Sequence, residues 1–256
     1  MNALIIRSTK IKDSDAIIDW LTDDDRIVTT YAAHIQTNKS YPNGLELMNI
    51  YELDLVERPS QEFARMTSAL CVERFDHIID DMPSYASACA AIELIANVCP
   101  KDSVIVDLFS TVLQTFAVMN TAHDLSTTVL AWFECFVLHQ LGAMPNLEMC
   151  AKCAKPLEKT EWFQQEVGFL CADCAMHQTN IPAFVLEAVR RLCYQNIRTT
   201  VQKALARNDE MQRRRILTPV LRFLMAVMCD NSAFKTLKAH KFMAETALGV
   251  SDLCPP

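Results

Sequence analysis

Four of the eleven cysteines in this 256-residue chain sit at spacings that could do chemistry. Cys150 and Cys153 form one Cys-x-x-Cys knuckle and Cys171 and Cys174 a second, with seventeen residues between them. A knuckle places two sulfurs on one side of a tight turn, so two knuckles complete a tetrahedron of soft donors. Zn²⁺ takes four thiolates at about 2.3 Å in that geometry, and this spacing falls in the range of zinc sites. Redox dithiols or a pair of disulfides are the rival uses; one knuckle alone would leave them open, and two at this separation favour metal. Four cysteines leave no open coordination position, so the expectation is one structural Zn per chain. His177, three residues past Cys174, is a spare donor that a filled tetrahedron does not need.

The other seven cysteines are Cys71, Cys89, Cys99, Cys135, Cys193, Cys229 and Cys254, most of them in apolar stretches where a thiol serves as a small core residue. An odd count, without a signal-like apolar segment in the opening MNALIIRSTK, points to a reducing interior and a cytoplasmic protein. No apolar run approaches the ~18 residues that span a bilayer; the segment 129–138 comes nearest, and Glu134 breaks it. Enzyme chemistry finds little footing. There is no phosphate-binding glycine loop and no His-Glu-x-x-His, and the six histidines fall at no ligand spacing. Asp23-Asp24-Asp25 reads as a polar turn rather than a hydrated-cation site.

Several kinds of element must position the cysteines. Residues 1–75 read as a small β-domain, with strands expected over 3–8, 16–21, 27–33, 45–57 and 63–71 between polar turns. Tyr51, Leu53 and Leu55 alternate with Glu52, Asp54 and Val56, as in a half-buried strand. Five short strands without an intervening helix suggest a small barrel; the pattern leaves an OB-fold and an SH3-like barrel open. Residues 76–149 carry three helical stripes: Tyr85 to Ala96, Ile105 to Phe116, and Leu130 to Leu141, with Asp124 or Ser126 as N-cap of the third. Short joins make them antiparallel neighbours in a bundle. The aromatic run Trp132, Phe133, Phe136 is explained as core. Beyond the cysteines, Pro182 opens a helix with Phe184, Leu186, Val189 and Leu192 on its apolar side. A further helix is expected over 211–229, with a kink at Pro219.

The formal charge of −7 is unevenly spread: −4 over 1–75, −8 over 76–149, −1 over 150–181 and +6 over 182–256. The acidic middle is a poor nucleic-acid surface, whereas the basic end could attract a phosphate backbone or an acidic peptide. The plain alternative is a solvated basic helix surface.

The order of barrel, helices, four-cysteine insert and further helices resembles the RecO recombination-mediator family of bacterial DNA repair. The matching segments are Leu4-Ile5-Ile6-Arg7, Asp13-Ser14-Asp15, Leu21-Thr22 and Lys39-Ser40. More specific are Leu141-Gly142-Ala143-Met144-Pro145-Asn146-Leu147 leading into the first knuckle, Pro156-Leu157, and Val167-Gly168-Phe169-Leu170 leading into the second. The resemblance implies an α+β architecture: an OB-fold β-barrel at 1–75, then an α-helical bundle domain at 76–256 with a zinc-ribbon-like insert at 147–178. It implies binding of single- and double-stranded DNA and annealing of complementary strands. It also implies loading of recombinase onto strands coated by single-stranded-DNA-binding protein, with a RecR-type partner. Where the family has a Gly-Lys turn this chain has Asp25-Arg26, and where it has an Arg- and Gly-rich loop this chain has Ala33-His34-Ile35-Gln36-Thr37-Asn38.

An OB barrel holds single strands with a groove of cations and stacking aromatics. The candidates for DNA contact are Arg7, Lys10, Lys12, Arg26 and Lys39, with Tyr31 as a platform. The plain alternative is that the charges are solvated and that Tyr31 is core. For the acidic, aromatic-ended tail of the single-strand-binding partner, the candidates are Arg190, Arg191, Arg213, Arg214, Arg215 and Arg222, beside apolar stripes. A different class of function is also open: a zinc-stabilised interaction scaffold with weak or no DNA binding, which the acidic barrel favours.

Overall fold

A computed structural model describes residues 1–11, 15–35, 41, 45–56, 63–101, 104–157, 161–164, 167–175, 179–181, 183–206 and 220. The chain divides into two compact units, Met1–His123 and Asp124–Pro256.

The first unit begins with five strands: β1 (Asn2–Lys10), β2 (Ala16–Thr22), β3 (Ile27–Ala32), β4 (Ile50–Val56) and β5 (Ala64–Glu73). They close in the order β1-β2-β3-β5-β4, with β1 antiparallel to β4 and β3 parallel to β5. That order is the OB-fold and resolves the choice left open by pattern alone. The strands lie within a residue or two of their expected bounds, except that β4 starts at Ile50 rather than 45. The preceding residues turn instead, with Met48 in the left-handed region (φ 66°) and the Tyr51 hydroxyl accepting from the Glu46 amide at 2.7 Å. Alternation fills the barrel with Ala3, Ile5, Ile18, Trp20, Tyr51, Leu53 and Met66. Trp20 and Tyr51 meet edge to face at 5.7 Å, and Trp20 Nε1 donates to Thr30 Oγ1 at 2.8 Å, so the indole is buried with its polar atom satisfied.

Three helices complete this unit: α1 (Asp76–Asp80), α2 (Met82–Val98) and α3 (Leu108–Thr121). Asp81 caps α2 by accepting from the Ser84 amide at 2.9 Å, with Pro83 in the first turn. Helix α3 has no such local cap. Asp107 stands at its N-cap position in the left-handed region, and the acceptor comes from the barrel. Asp25, on the β2–β3 turn, receives the amides of Asp107 at 2.7 Å and Phe109 at 2.8 Å. The carboxylate satisfies two helix-end donors and faces the positive end of the helix dipole. Asp25→Ala is expected to cost about 1–2 kcal/mol, the scale of a lost N-cap, in a urea titration. Asp25→Asn, which keeps an acceptor and tolerates the turn's positive φ, should retain most of that stability; equal losses would contradict the capping role.

A 3-10 turn, His123–Leu125, starts on the last residue of the first unit and leads into α4 (Ser126–Gln140) of the second, and Leu125 occupies the N-cap position without a side-chain cap. The N-cap expected at Asp124 or Ser126 is thus corrected: the tight turn carries the chain in with apolar Leu125, fully buried, at the junction. Helices α5 (Ala183–Tyr194) and α6 (Ile197–Leu205) pack on α4. Trp132 and Phe133 are buried on α4, and Trp132 Nε1 donates to the Gln195 carbonyl at 2.8 Å in the α5–α6 join, which makes the aromatic run core. On α5 the buried stripe is Val185, Leu186, Val189 and Leu192, with Phe184 exposed instead of inward. The helix expected over 211–229 falls outside the described residues apart from buried Val220. Among the described residues, no helix is long and apolar enough to cross a membrane.

Candidate metal centre and nucleic-acid interface

The route into the metal centre explains the motif that precedes it. Helix α4 stops at Gly142, whose φ of 65° is the left-handed conformation an L side chain resists. Gly142 N donates to His139 O at 3.0 Å and Ala143 N to Leu138 O at 2.9 Å, the paired bonds of a Schellman stop. Asn146 then makes the next turn, its Oδ1 accepting from the amides of Glu148 and Met149, each at 2.9 Å. Leu147 is buried, and its carbonyl accepts from Arg190 Nε at 2.9 Å on α5, with a second bond from the same guanidinium.

The insert itself is small: β6 (Glu161–Gln164) lies between β7 (Gly168–Leu170) and β8 (Thr179–Ile181) in a three-stranded antiparallel sheet. Phe163 meets Phe169 edge to face at 5.4 Å. Gly168, at φ 111°, turns the chain into β7. The Ala151 amide donates to Phe169 O at 2.8 Å, tying the first knuckle to the strand that delivers the second. Lys155 and Asp173 pair across the two knuckles at 2.7 Å.

These turns bring the sulfurs of Cys150, Cys153, Cys171 and Cys174 within 4.8 Å of one another, and Cys153 and Cys171 approach to 3.6 Å. A tetrahedron with metal–sulfur bonds of about 2.3 Å has sulfurs about 3.8 Å apart, so the donor set fits a metal ion. The electrostatics fit as well. Burial opposes ionisation of Cys150, but the amides of Cys171, Cys153 and Lys152 outweigh it and lower the thiol to about 6. The Cys174 thiol is pushed up to about 12, first by its hydrogen bond with Cys153 and then by burial and the other sulfurs. One thiolate is thus favoured and the next opposed; a cation removes that opposition by holding all four ionised.

The residues expected to touch DNA do not gather into one described groove. Arg7, displaced outward by a bulge in β1, donates to Ala96 O at 2.6 Å and to Asn97 Oδ1 at 3.3 Å at the end of α2. Its guanidinium serves a helix C-terminus, where a cation meets the negative end of the dipole. Asp19, buried beside it, accepts from Lys101 Nζ at 2.8 Å and Thr29 Oγ1 at 2.6 Å. Arg26 is held by Asp24 within its own turn. Lys10 is exposed at the end of β1. Tyr31 is half-buried, with its hydroxyl donating to Asp15 Oδ2 at 2.6 Å. Lys12 and Lys39 lie outside the described residues, as do Arg213, Arg214, Arg215 and Arg222. Arg190 also faces Glu148 at 3.4 Å and is mostly covered, while Arg191 pairs with Glu187 at 2.8 Å along α5. The spacing of basic residues gave no sign of the anchoring roles of Arg7 and Arg190, because their carbonyl partners lie 89 and 43 residues away.

A closed OB barrel, followed by helices that carry a four-cysteine centre, is the class of protein that the fold and the site define. Residues 79–222 match the family described as "Recombination protein O C terminal". Among curated proteins, the "DNA repair protein RecO" of Dehalococcoides mccartyi strain 195 is 31% identical over 197 residues, covering 75% of this chain and 76% of that protein. The protein of that name from Myxococcus xanthus is 25% identical over 252 residues, covering 96% and 97%. That from Anaeromyxobacter dehalogenans strain 2CP-C is 23% identical over 251 residues, covering 96% and 95%. The chain belongs to the RecO family of DNA repair proteins.

Proposed function

We propose that this chain is a non-enzymatic mediator of DNA repair and recombination in the bacterial cytoplasm or nucleoid. It binds DNA, anneals complementary strands and helps load recombinase onto strands coated by single-stranded-DNA-binding protein. Family membership along most of the chain, together with an OB barrel at its head, is the observation that carries this reading. A barrel domain at 1–75, a helical domain at 76–256 and a zinc insert at 147–178 are the working parts. Zn²⁺ is the proposed ion, because a closed set of four thiolates suits a borderline-soft tetrahedral cation. Its role is to fold the insert. Cys150, Cys153, Cys171 and Cys174 would hold it.

DNA contact falls first on Lys10, Lys12 and Lys39, since Arg7 and Arg26 already serve carbonyl and carboxylate partners. A RecR-type protein is the proposed partner in loading. The partner protein's acidic tail is proposed to dock on the +6 segment 182–256, where Arg191 and the arginines at 213–215 and 222 offer forks for carboxylates. Arg190 is a weaker candidate, being bound to Leu147.

The second reading is a zinc-stabilised interaction scaffold with weak or no DNA binding, and the intramolecular engagement of Arg7 and Arg26 favours it. Titration with a single-stranded oligonucleotide at two salt concentrations separates the two. A mediator binds with log K falling linearly in log salt, and replacing Lys10 and Lys12 lowers the slope by about 0.7 per phosphate no longer neutralised. No binding at low salt supports the scaffold instead. An unchanged slope in the double variant moves the DNA site to the basic C-terminal segment.

A further inference from the structure

We propose that the four-cysteine centre is peroxide-sensitive, with Cys153 and Cys171 the pair that oxidises to a disulfide between the two knuckles and gives up the metal. The proposal rests on the zinc reading above and adds to it a modification site. The four sulfurs are not equivalent. Cys150 is 3% exposed, Cys171 and Cys174 are half-buried, and Cys153 is exposed. Peroxide oxidises the thiolate it can reach, so Cys153 is the sulfur it meets first. The Cys171 sulfur stands 3.6 Å from that of Cys153. A disulfide bond is about 2.05 Å long, and sulfurs already in contact close to it by rotation of two side chains.

Contacts between the knuckles keep the pair opposed. The Ala151 amide donates to the Phe169 carbonyl at 2.8 Å, and Lys155 Nζ donates to Asp173 Oδ2 at 2.7 Å. Each joins the turn that carries Cys153 to the segment that carries Cys171. Cys150 is the rival partner within the first knuckle, but it is buried, and two backbone bonds hold its turn. Its amide donates to the Lys155 carbonyl at 2.8 Å, and its carbonyl accepts from the Ala154 amide at 2.9 Å.

A hydroperoxide is the oxidant. The Cys153 thiolate attacks it, an S–O bond forms as the O–O bond breaks, and hydroxide leaves. The Cys171 thiolate then attacks the sulfenic sulfur; the S–S bond forms as the S–O bond breaks, and a second hydroxide leaves. Two thiolates lose two electrons, and one peroxide is reduced to two hydroxides. Only Cys150 and Cys174 then remain as thiolate donors, and two donors do not complete a tetrahedron. The choice of sulfurs gives the bond a consequence. The loop from Cys153 to Cys171 contains β6 and β7, so this disulfide replaces the metal as the tie between the knuckles. A bond inside one Cys-x-x-Cys would leave them untied. The oxidised insert therefore keeps its halves together and refills when it is reduced.

The test uses the full chain, loaded with zinc and freed of reductant, treated with equimolar hydrogen peroxide and then N-ethylmaleimide. A colorimetric chelator reads the metal released, and non-reducing peptide mapping reads the linkage. Zinc should fall from one per chain towards zero in parallel with a Cys153–Cys171 crosslink. Dithiothreitol with added zinc should reverse both. The wild-type chain decides the matter, since Ser at any of the four positions is itself expected to lose the metal. Zinc retained under excess peroxide, linkage confined to Cys150–Cys153 or Cys171–Cys174, or sulfinic acid at Cys153 without linkage would overturn the proposal while leaving the structural zinc in place. A parent chain that holds no zinc before treatment would remove the zinc reading and this proposal with it.

Discussion

Replacing any one of Cys150, Cys153, Cys171 or Cys174 by Ser is expected to take bound zinc from one per chain to near zero and to unfold the insert. The size of the effect follows from how little else holds this segment. Its sheet has strands of four, three and three residues, and its described aromatic contact is the Phe163–Phe169 pair. Strands this short are marginal on their own. Zinc binding contributes about 10–16 kcal/mol in small zinc-folded peptides, and that energy is folding energy where no preformed site exists without metal. The loss should reach beyond the insert, because Arg190 on α5 is bonded to the Leu147 carbonyl at its entrance. Metal analysis of protein prepared in reductant, with limited proteolysis of the Ser variants, checks this. Well under one metal per chain in the parent protein, or an insert that resists protease without a cysteine, would count against a structural zinc.

The second large effect comes from Glu134, and it depends on pH. The residue is fully buried on α4, and both its carboxylate oxygens lack a hydrogen-bond partner among the described residues. Burial alone pushes its pKa up to about 8, from an ordinary 4.5. The unfolded chain ionises near the ordinary value while the folded chain keeps the proton. Relative stability is therefore greatest below about pH 4.5 and is lost progressively as pH rises towards 8. At 1.36 kcal/mol for each unit, the loss across that window is about 4 kcal/mol. Glu134→Gln removes the titration while keeping the shape. Denaturant titrations at pH 5 and pH 8 should show the variant gaining several kcal/mol on the parent at the higher pH. Parallel pH profiles for the two proteins would mean that the Glu134 carboxyl reaches water or a partner.

Glu134 also marks what was and was not legible in the chain. In sequence it breaks an apolar run and reads as a charged interruption; buried, it is a neutral acid inside a helix covered by α5 and α6. The barrel strands were legible because alternation over a half-buried face is local, and the cysteines because tetrahedral metal geometry translates directly into spacing. Helix α6 was missed although Ile197, Thr200 and Ala204 keep a helical stripe behind the N-cap Asn196, because so polar a segment hides its one buried face. The roles of Asp25, Arg7 and Arg190 were out of reach for another reason. Their partners lie 84, 89 and 43 residues away, and the acceptors of Arg7 and Arg190 include backbone carbonyls that every residue carries. A basic residue aimed at a helix end and one aimed at a phosphate look the same in sequence.

Strand annealing tests the mediator reading most directly. Two complementary oligonucleotides are coated with the cognate single-stranded-DNA-binding protein, and duplex formation is followed by fluorescence with and without this chain. The account predicts that the chain accelerates annealing of the coated strands, and that the acceleration is lost when the coat protein lacks its acidic, aromatic-ended tail. Coated strands that anneal no faster with the zinc-loaded chain than without it would contradict the account.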